Sequence, residues 1–446
     1  MKSAFKVIVV GGGPVGLIAA HALHLANIDF IVLERCPAIV EDKGASLVVY
    51  PHTFRVLHQI GILEQVLSVG GELKHHLSFT ADGTVFNESP RYQKIRESYG
   101  YGPTAFHRAE LIKIIYDGLP AAAKEKVLTS KSVQNIEAND TGVKVTCNDG
   151  TSYPGSIVIG ADGVHSKTRR IMREIALKED PLRPWDPEKP FISTFRILFG
   201  GFPAPSESGL GYDVQSQNKA IMYLSGPKLA WFFLYEKLPQ PTRERVDYSE
   251  KEVEELGQEF SEFPLTQTVK VKDVWPKMIG KGMTDMQEGI VQHWSLGRIV
   301  LVGDACHKFT THLGQGFNNG VQDVVVLCNG IQKAVKDSTD NNPDFSTLTK
   351  VFENYVSLRK SSASSLFADL AHSRMETRMH TWSNPSYWLI SRYLTLSPWV
   401  DNLLFQRAIG SELLKGKILE YVGKNEPIQG KIGWLHPMSR SRENSH

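Results

Sequence analysis

The sequence predicts an α/β fold in which parallel strands alternate with helices, joined to a second region of longer strands. A short apolar run at 7–10 leads through a glycine-rich turn into a helical stretch at 17–26, and another apolar run follows at 30–34. Unbroken apolar runs of this length suit strands buried on both faces, and the strand–helix–strand order indicates a parallel pair. Three aromatic and β-branched runs predict strands of a second sheet: 191–202, 220–224 and 230–235.

The composition is that of a globular protein. Of 446 residues, 41% are hydrophobic and 22% charged, and at roughly 150 residues per domain the chain has room for about three domains, or two with one of them large. The net charge of +2 argues against a nucleic-acid-binding surface. The four cysteines form no CxxC pair, and the first apolar run is too short for a secretory signal. We therefore expect a reduced, intracellular and cytoplasmic protein.

Changes in composition and in the spacing of apolar residues divide the chain into four segments. Helical spacing of apolar residues recurs at three places: 54–69, 108–119 and 321–335. Turn residues indicate hairpins between 132 and 159. A proline-rich stretch at 181–190 indicates that the chain enters another domain, and the apolar run 297–304 indicates that it returns to the α/β domain. The predicted segments are the first part of an α/β domain at 1–180, a sheet-rich substrate domain at 181–290, the second part of the α/β domain at 291–380, and a helical C-terminal region with a tail at 381–446.

The first strand–helix turn carries a dinucleotide-binding fingerprint. Gly11, Gly13 and Gly16 have the spacing GxGxxG. The first glycine permits a tight turn, the second lets a pyrophosphate approach the backbone, and the third lets the helix pack on the strand. Glu34 ends the next strand, where its carboxylate can bind a ribose diol. This arrangement favours FAD or NAD over NADP.

Two further glycine turns end apolar runs farther along the chain. They are Asp162-Gly163 and Gly303-Asp304, and together with the fingerprint they indicate a long ligand that is held at several places. With these three motifs the chain resembles the group A flavoprotein monooxygenases, the family of para-hydroxybenzoate and salicylate hydroxylases. The resemblance spans residues 7 to about 329. It implies a Rossmann-type FAD-binding domain with an inserted α+β substrate domain and a helical C-terminal region.

The resemblance also implies roles for individual residues. The fingerprint glycines and Glu34 would hold the ADP part of FAD, and Asp162 with Gly163 would close the pyrophosphate region and bear on NAD(P)H use. The Asp304 carboxylate would bind the ribityl hydroxyls, which an ionised carboxylate can hold strongly. A purely structural turn-capping role stays open for both aspartates. The remaining predicted cofactor-binding residues are Arg35, Ala45, Arg108, Gly314, Gly316 and Phe317.

The loop that contains Gly314, Gly316 and Phe317 opens a helix. Exposed N–H groups at a helix start stabilise negative charge, and in the family this loop meets the flavin pyrimidine ring, which becomes negative on reduction. Relatives commonly carry proline just before it, whereas this chain has Thr310-Thr311-His312. This departure concerns the substrate side more than the FAD assignment.

The stretch 286–294 most resembles the fungal secondary-metabolite branch of the family, which includes the paxilline-type epoxidases. The resemblance implies an enzyme that binds FAD, accepts hydride from NAD(P)H and reacts with O₂ to form a flavin C4a-hydroperoxide. This would epoxidise or hydroxylate a lipophilic terpenoid, meroterpenoid or indole-type metabolite. Two alternatives stay open, namely a phenol hydroxylase of the same fold, and a flavin-binding non-redox cyclase or inactive flavin-binding protein.

Two residues of the predicted second sheet are candidate catalytic groups. Arg196 interrupts an apolar run, and a guanidinium among aromatic residues is costly unless it meets an anion, a carbonyl or the flavin edge. Tyr223 could orient the substrate. A structural ion pair for Arg196 and simple packing for Tyr223 stay open. His307 and His312 lack neighbouring carboxylates and cysteines that would complete a ligand set, so no metal is expected.

Residues 387–405 are rich in aromatic and aliphatic side chains but are interrupted by Arg392, Pro398 and Asp401. A membrane-spanning helix needs about 20 mostly apolar residues, so this segment is not predicted to span a membrane. Peripheral association with a membrane surface stays open, but packing on the first domain or on a partner chain is favoured. The oligomeric state is left open.

Overall fold

The computed structural model describes residues 5–42, 44–360 and 410–438. The strands are β1 (Lys6–Val10), β2 (Asp29–Leu33), β3 (Ser46–Val49), β4 (Gly71–Glu72), β5 (Leu77–Thr80), β6 (Val85–Glu88), β7 (Thr104–His107), β8 (Val127–Leu128), β9 (Val133–Ala138), β10 (Val143–Cys147), β11 (Ser152–Gly155), β12 (Ile157–Gly160), β13 (Ile192–Pro203), β14 (Gly211–Gln215), β15 (Lys219–Ser225), β16 (Leu229–Thr242), β17 (Gly280–Ile290), β18 (Ser295–Leu296), β19 (Ile299–Leu301) and β20 (His307–Lys308).

The α-helices are α1 (Pro14–Leu25), α2 (Pro51–Gln59), α3 (Leu63–Val69), α4 (Arg91–Tyr99), α5 (Arg108–Asp117), α6 (Ala121–Lys124), α7 (Lys167–Glu179), α8 (Glu250–Glu259), α9 (Val271–Val274), α10 (Gly316–Asp337), α11 (Phe345–Arg359) and α12 (Ser411–Leu414). Short 3₁₀ helices lie at Trp275–Lys277, Gly303–Ala305 and Thr311–Leu313. The helical stretch predicted at 54–69 is divided into α2 and α3 at Gly61, which has a φ of +85°.

A six-stranded sheet in the order β18-β19-β12-β1-β2-β8 forms the centre of the first domain. Its central strands β19, β12, β1 and β2 are mutually parallel, and α1 returns the chain from β1 to β2. The apolar residues of these strands are almost completely buried, as expected for parallel strands covered on both faces. The predicted Rossmann-type arrangement is confirmed, and β9, β10 and β11 form the predicted hairpins as a separate antiparallel sheet.

The second sheet has eight strands in the order β20-β17-β13-β16-β15-β14-β5-β6. Its longest strands, β13 and β16, pair antiparallel along most of their length. One face packs towards β3 and β7 through a cluster that includes Ile197 and Leu224, and the other is covered by α8 and α9 through a cluster that includes Leu198 and Val253. The strands β5 and β6 belong to this sheet although they precede the predicted substrate segment 181–290.

The described C-terminal residues pack on the first domain. The buried Arg55 on α2 forms an ion pair with Glu426 and donates to the Gly416 carbonyl at 2.8 Å, and Leu419 belongs to the core of the first domain. Residues 387–405, for which membrane-surface association was considered, lie outside the described residues. In the part of the chain that the structure describes, every helix is too short or too polar to cross a membrane.

Candidate FAD site

The three glycine turns begin at one edge of the six-stranded sheet. Val10 is in register with Gly160, and Gly160 with Leu301, so β1, β12 and β19 end side by side. The chain continues from them into Gly11, Asp162 and Gly303. Ligands of open α/β sheets bind at this carboxyl edge. Motifs that lie far apart in the sequence are thus brought together by strand pairing.

Gly11 and Gly16 are required by close approaches of the backbone. Gly11 has a φ of +107°, and a Cβ atom there would lie 2.5 Å from the Ala161 carbonyl oxygen, while a Cβ on Gly16 would collide with the Gly11 carbonyl. Gly13 differs from both, because it caps α1 without a side-chain hydrogen bond and faces open space on its Cβ side. The first N–H groups of α1 are therefore accessible to a pyrophosphate.

Glu34 lies where the adenosine ribose is expected. Its carboxylate accepts hydrogen bonds from the Gly12 N–H at 2.6 Å and the Cys36 N–H at 2.8 Å. A carboxylate has about four lone-pair sites, so these two bonds orient it and leave capacity for a ribose diol. The neighbouring Arg35 is exposed at the same strand end.

Asp162 organises its own turn. Its carboxylate accepts from the Ser166 hydroxyl at 2.5 Å and from the N–H and hydroxyl of Thr168 at 2.9 and 3.0 Å. These bonds support the capping role that the sequence left open. Gly163 follows with a φ of +78° and open space on its Cβ side.

Arg169 connects the second and third glycine turns. Its guanidinium donates to the Val164 carbonyl and to the Ala305 carbonyl, each at 2.8 Å. The side chain is buried, so the two carbonyls replace part of the hydration that it loses. The sequence signal for this bridge is an arginine three residues after Ser166, which caps α7.

Three other predicted cofactor-binding residues, Arg108, Ala45 and Gly316, lie near Asp304. The Arg108 N–H donates to the Ala45 carbonyl at 3.0 Å, and a Cβ on Gly316 would lie 3.8 Å from Asp304 Oδ1. Burial lowers the pKa of Arg108, and the nearby charge of Asp304 opposes that shift. Asp304 also accepts from Lys308 Nζ at 2.6 Å, and its side chain remains 31% exposed, so it can still accept bonds from ribityl hydroxyls.

Asn318 holds the glycine loop against β3, a role that the sequence analysis missed. Its amide group donates to the Val48 and Gly314 carbonyls, each at 2.8 Å, and its oxygen accepts from the Tyr50 N–H at 2.9 Å and the Thr53 hydroxyl at 2.8 Å. The loop is thereby fixed beside β3, and Phe317 is buried. The available sequence signal is an asparagine in the first turn of the helix that follows the loop.

A buried carboxylate, Asp323 on α10, supports the third glycine turn from behind. It accepts from the Gly303 N–H at 2.9 Å, from His307 Nε2 at 2.6 Å and from Arg359 Nε at 2.8 Å. Burial raises the pKa of Asp323, but the charges of His307 and Arg359 bring it below the ordinary value of an aspartate. No local sequence pattern indicates this role, because the partners of Asp323 come from two other segments of the chain, 303–307 and α11.

The same residues form a cluster of potential metal ligands. Ligand atoms of Cys306, His307 and Asp323 lie within 4.8 Å of one another, contrary to the expectation that the histidine has no nearby carboxylate or cysteine. Arg359 donates to the carboxylate, and its positive charge opposes a cation at this position. We interpret the cluster as a hydrogen-bond network, and the absence of a metal stays a prediction.

A pocket lies between the 311–314 loop and the second sheet. Apolar and polar side chains line it in similar measure, and the apolar ones include Val48, Leu73 and Met222. The sheet and the loop are also joined directly, because the Tyr235 hydroxyl lies 2.7 Å from the Thr311 hydroxyl. The pocket is therefore adjacent to the loop that is expected to contact the flavin ring.

The structure does not bring Arg196 to this pocket. Its guanidinium forms an ion pair with Glu236 and lies over the Tyr248 ring. Successive side chains of a strand point to opposite faces. Phe195 and Ile197 therefore pack on the face towards the first domain, and Arg196 lies on the other. The structure thus shows Arg196 in an ion pair, the alternative that the sequence left open.

Tyr223 is likewise not among the residues that line the pocket. It packs with Leu198 and Phe202 in the cluster covered by α8, and its hydroxyl lies 2.8 Å from the Ser206 hydroxyl. Its neighbours Met222 and Leu224 line the pocket instead. Both candidate catalytic residues, Arg196 and Tyr223, thus lie outside the lining of this pocket, because the sequence indicated the strands but not which of their faces is turned inward. Their catalytic roles stay untested predictions.

Comparison with known proteins identifies an FAD-binding domain in this chain. Residues 4–185 and 213–342 match the sequence model of the FAD-binding domain family. The chain belongs to this family. It is 31% identical over 440 residues to the FAD-dependent monooxygenase ausM of Penicillium brasilianum, covering 97% of this chain and 89% of the relative. It is 32% identical over 449 residues to the FAD-dependent monooxygenase srdH of Neurospora crassa, covering 96% and 97%.

Solved structures share the fold. Klebsiella pneumoniae HpxO complexed with FAD and uric acid superposes with a TM-score of 0.63 at 19% identity, covering 92% of this chain and 93% of that one. The Diels-Alderase PyrE3 of pyrroindomycin biosynthesis has a TM-score of 0.65 at 20% identity, covering 90% and 80%. The predicted fold class, the cofactor FAD and the assignment as an FAD-dependent monooxygenase of the fungal secondary-metabolite branch are confirmed. The contacts of individual residues with FAD stay predictions.

Proposed function

We propose that this flavoprotein monooxygenase uses NAD(P)H and O₂ to epoxidise or hydroxylate a lipophilic secondary metabolite of terpenoid, meroterpenoid or indole type. The observation that carries the proposal is the pocket beside the 311–314 loop, which has apolar walls from β3 and from the inward face of the second sheet. When bound, FAD supplies the redox chemistry, taking hydride from the reduced nicotinamide and transferring one oxygen atom of O₂ to the substrate.

The residues of this chain would hold FAD and exclude water. The start of α1 and Glu34 would bind the ADP part, and Asp304 the ribityl chain, while Asn318 keeps the glycine loop in place. Met222 and Leu224 would form an apolar wall over the reacting carbon. Such a wall excludes the solvent that would otherwise divert reduced flavin and oxygen into hydrogen peroxide.

The test is turnover by the FAD-loaded enzyme under ¹⁸O₂, with a panel of prenylated indoles, prenylated phenols and olefinic terpenoids. We expect substrate-stimulated oxidation of NADPH or NADH and a product that carries one labelled oxygen atom for each nicotinamide oxidised. A product that is an isomer of the substrate, formed without nicotinamide oxidation, would instead support a non-redox cyclase. A strong preference for phenols, with oxygen added to the ring, would identify a phenol hydroxylase of the same fold.

A further inference from the structure

The pocket contains one arginine whose charge has no acidic partner among the described residues. Arg91, the first residue of α4, lines the pocket together with Tyr50 and Tyr92. Its guanidinium lies over the Tyr92 ring, 4.9 Å from the centroid, and donates to the Tyr92 hydroxyl at 3.1 Å. Its Nε atom is buried and makes no hydrogen bond within the part of the chain that the structure describes.

The surroundings of Arg91 favour an acceptor group that is not part of the described chain. None of the thirteen described residues that line the pocket is acidic. A buried carboxylate on β14, Asp213, is already bonded to Ser78 at 3.0 Å, to Gln215 at 2.9 Å and to His76 at 2.7 Å. A partly buried guanidinium with an unused donor is costly unless an acceptor meets it.

The polar and apolar groups of the pocket are complementary to an amphiphilic molecule. Burial raises the pKa of Tyr50, and the charge of Arg91 opposes that rise, so the tyrosine is a neutral hydroxyl beside a cation. Leu73, Met222 and Leu224 supply the apolar walls. An anionic oxygen at Arg91 would form charge-assisted hydrogen bonds, while the hydrocarbon part of the same molecule lies on these walls.

We propose that Arg91 is a specificity-determining residue that binds an acidic oxygen of the substrate, a carboxylate, phenolate or enolate, while the lipophilic part of that substrate occupies the apolar side of the pocket. The inference rests on the proposed function in that it takes this pocket as the substrate site. It adds that the substrate carries an ionised group and is not a neutral hydrocarbon.

The test compares farnesoic acid, which is ionised at neutral pH, with its methyl ester, in which a methoxy group replaces the charged oxygen. Their affinities for the oxidised, FAD-loaded enzyme are measured by calorimetry without NADPH, so the result does not depend on turnover. We expect the acid to bind about tenfold or more tightly than the ester, as is typical of a charged hydrogen bond. Arg91→Gln should reduce this preference to about twofold or less, and Arg91→Lys should retain part of it.

Arg96 on the same helix provides the matched control. Its side chain is 56% exposed and pairs with Glu72, so Arg96→Gln should leave the preference for the acid unchanged. All variants should retain FAD and melt within a few degrees of the wild type.

Equal affinities for acid and ester, failure of the wild type to bind the acid, or an unchanged preference in Arg91→Gln would overturn the inference. Oxygen transfer to an olefin would still stand if this inference failed. If the enzyme prefers the acid but transfers no oxygen, the role of Arg91 stands and the proposed reaction is rejected.

Discussion

Replacing Asp323 by asparagine tests whether the buried network behind Gly303 supports the FAD site. The carboxylate is completely buried and pairs with Arg359, whose side chain is 9% exposed. Removing one partner of a buried ion pair leaves the other charge uncompensated and costs about 3–5 kcal/mol. We therefore expect Asp323→Asn to lower the free energy of unfolding by about this amount.

The substitution should also weaken FAD binding. The Gly303 N–H and His307 Nε2 share one oxygen of Asp323, and asparagine keeps only one acceptor oxygen. The Gly303-Asp304 turn is then held less firmly. At a net value of about 1.5–3 kcal/mol for a hydrogen bond to a charged group, we expect FAD affinity to fall by about tenfold or more.

The assays are urea denaturation of the apoprotein and the holoprotein, and fluorescence titration with FAD. Asp117→Asn is the matched control, because Asp117 pairs with Lys113 on the exposed surface of α5, where such pairs contribute about 0–1 kcal/mol. The double variant Asp323→Asn/Arg359→Gln should lose less free energy of unfolding than the two single variants lose together. If Asp323→Asn lowers the free energy of unfolding by less than about 1 kcal/mol and leaves FAD affinity unchanged, Asp323 does not support the FAD site.

Three further predictions concern the same elements. Asp304→Ala should lower FAD affinity by about tenfold or more, measured as flavin retained after gel filtration, whereas Lys308→Gln should retain the yellow colour; a fully yellow Asp304→Ala protein would contradict the ribityl role. Arg196→Gln should keep FAD content and turnover within about twofold of the wild type. It should lower the free energy of unfolding by about 1 kcal/mol or less, since the ion pair with Glu236 is partly exposed; a large loss of turnover in folded protein would show that Arg196 acts in the active site. Because the folded-state pKa of Asp323 is below its ordinary value, its contribution to stability is complete above about pH 4 and is lost as the pH falls through the lower value. Urea midpoints from about pH 7 to about pH 3 should therefore fall less in Asp323→Asn than in the wild type, and parallel falls would contradict this assignment.

The sequence predicted the parts of the FAD site whose signal is local. Gly11, Gly16 and Glu34 are each determined by one strand–helix–strand unit at the start of the chain. The glycine turns after β12 and β19 were predicted in the same way, because a buried strand that ends in glycine needs only a few neighbouring residues to be seen. The family and the cofactor follow from these turns.

Only the tertiary structure decided the substrate side and the supporting network. The alternation of side chains along a strand determines which residues share a face, but both faces of the second sheet are apolar, so the sequence did not distinguish Met222 and Leu224 from Tyr223. Arg91 reaches the pocket because β5 and β6, which precede it, join the distant β14. Asp323 meets its partners because α10 packs on α11 and on the 3₁₀ turn Gly303–Ala305. Contacts between segments that lie far apart in the chain produce no periodic pattern in the sequence. These contacts form the pocket.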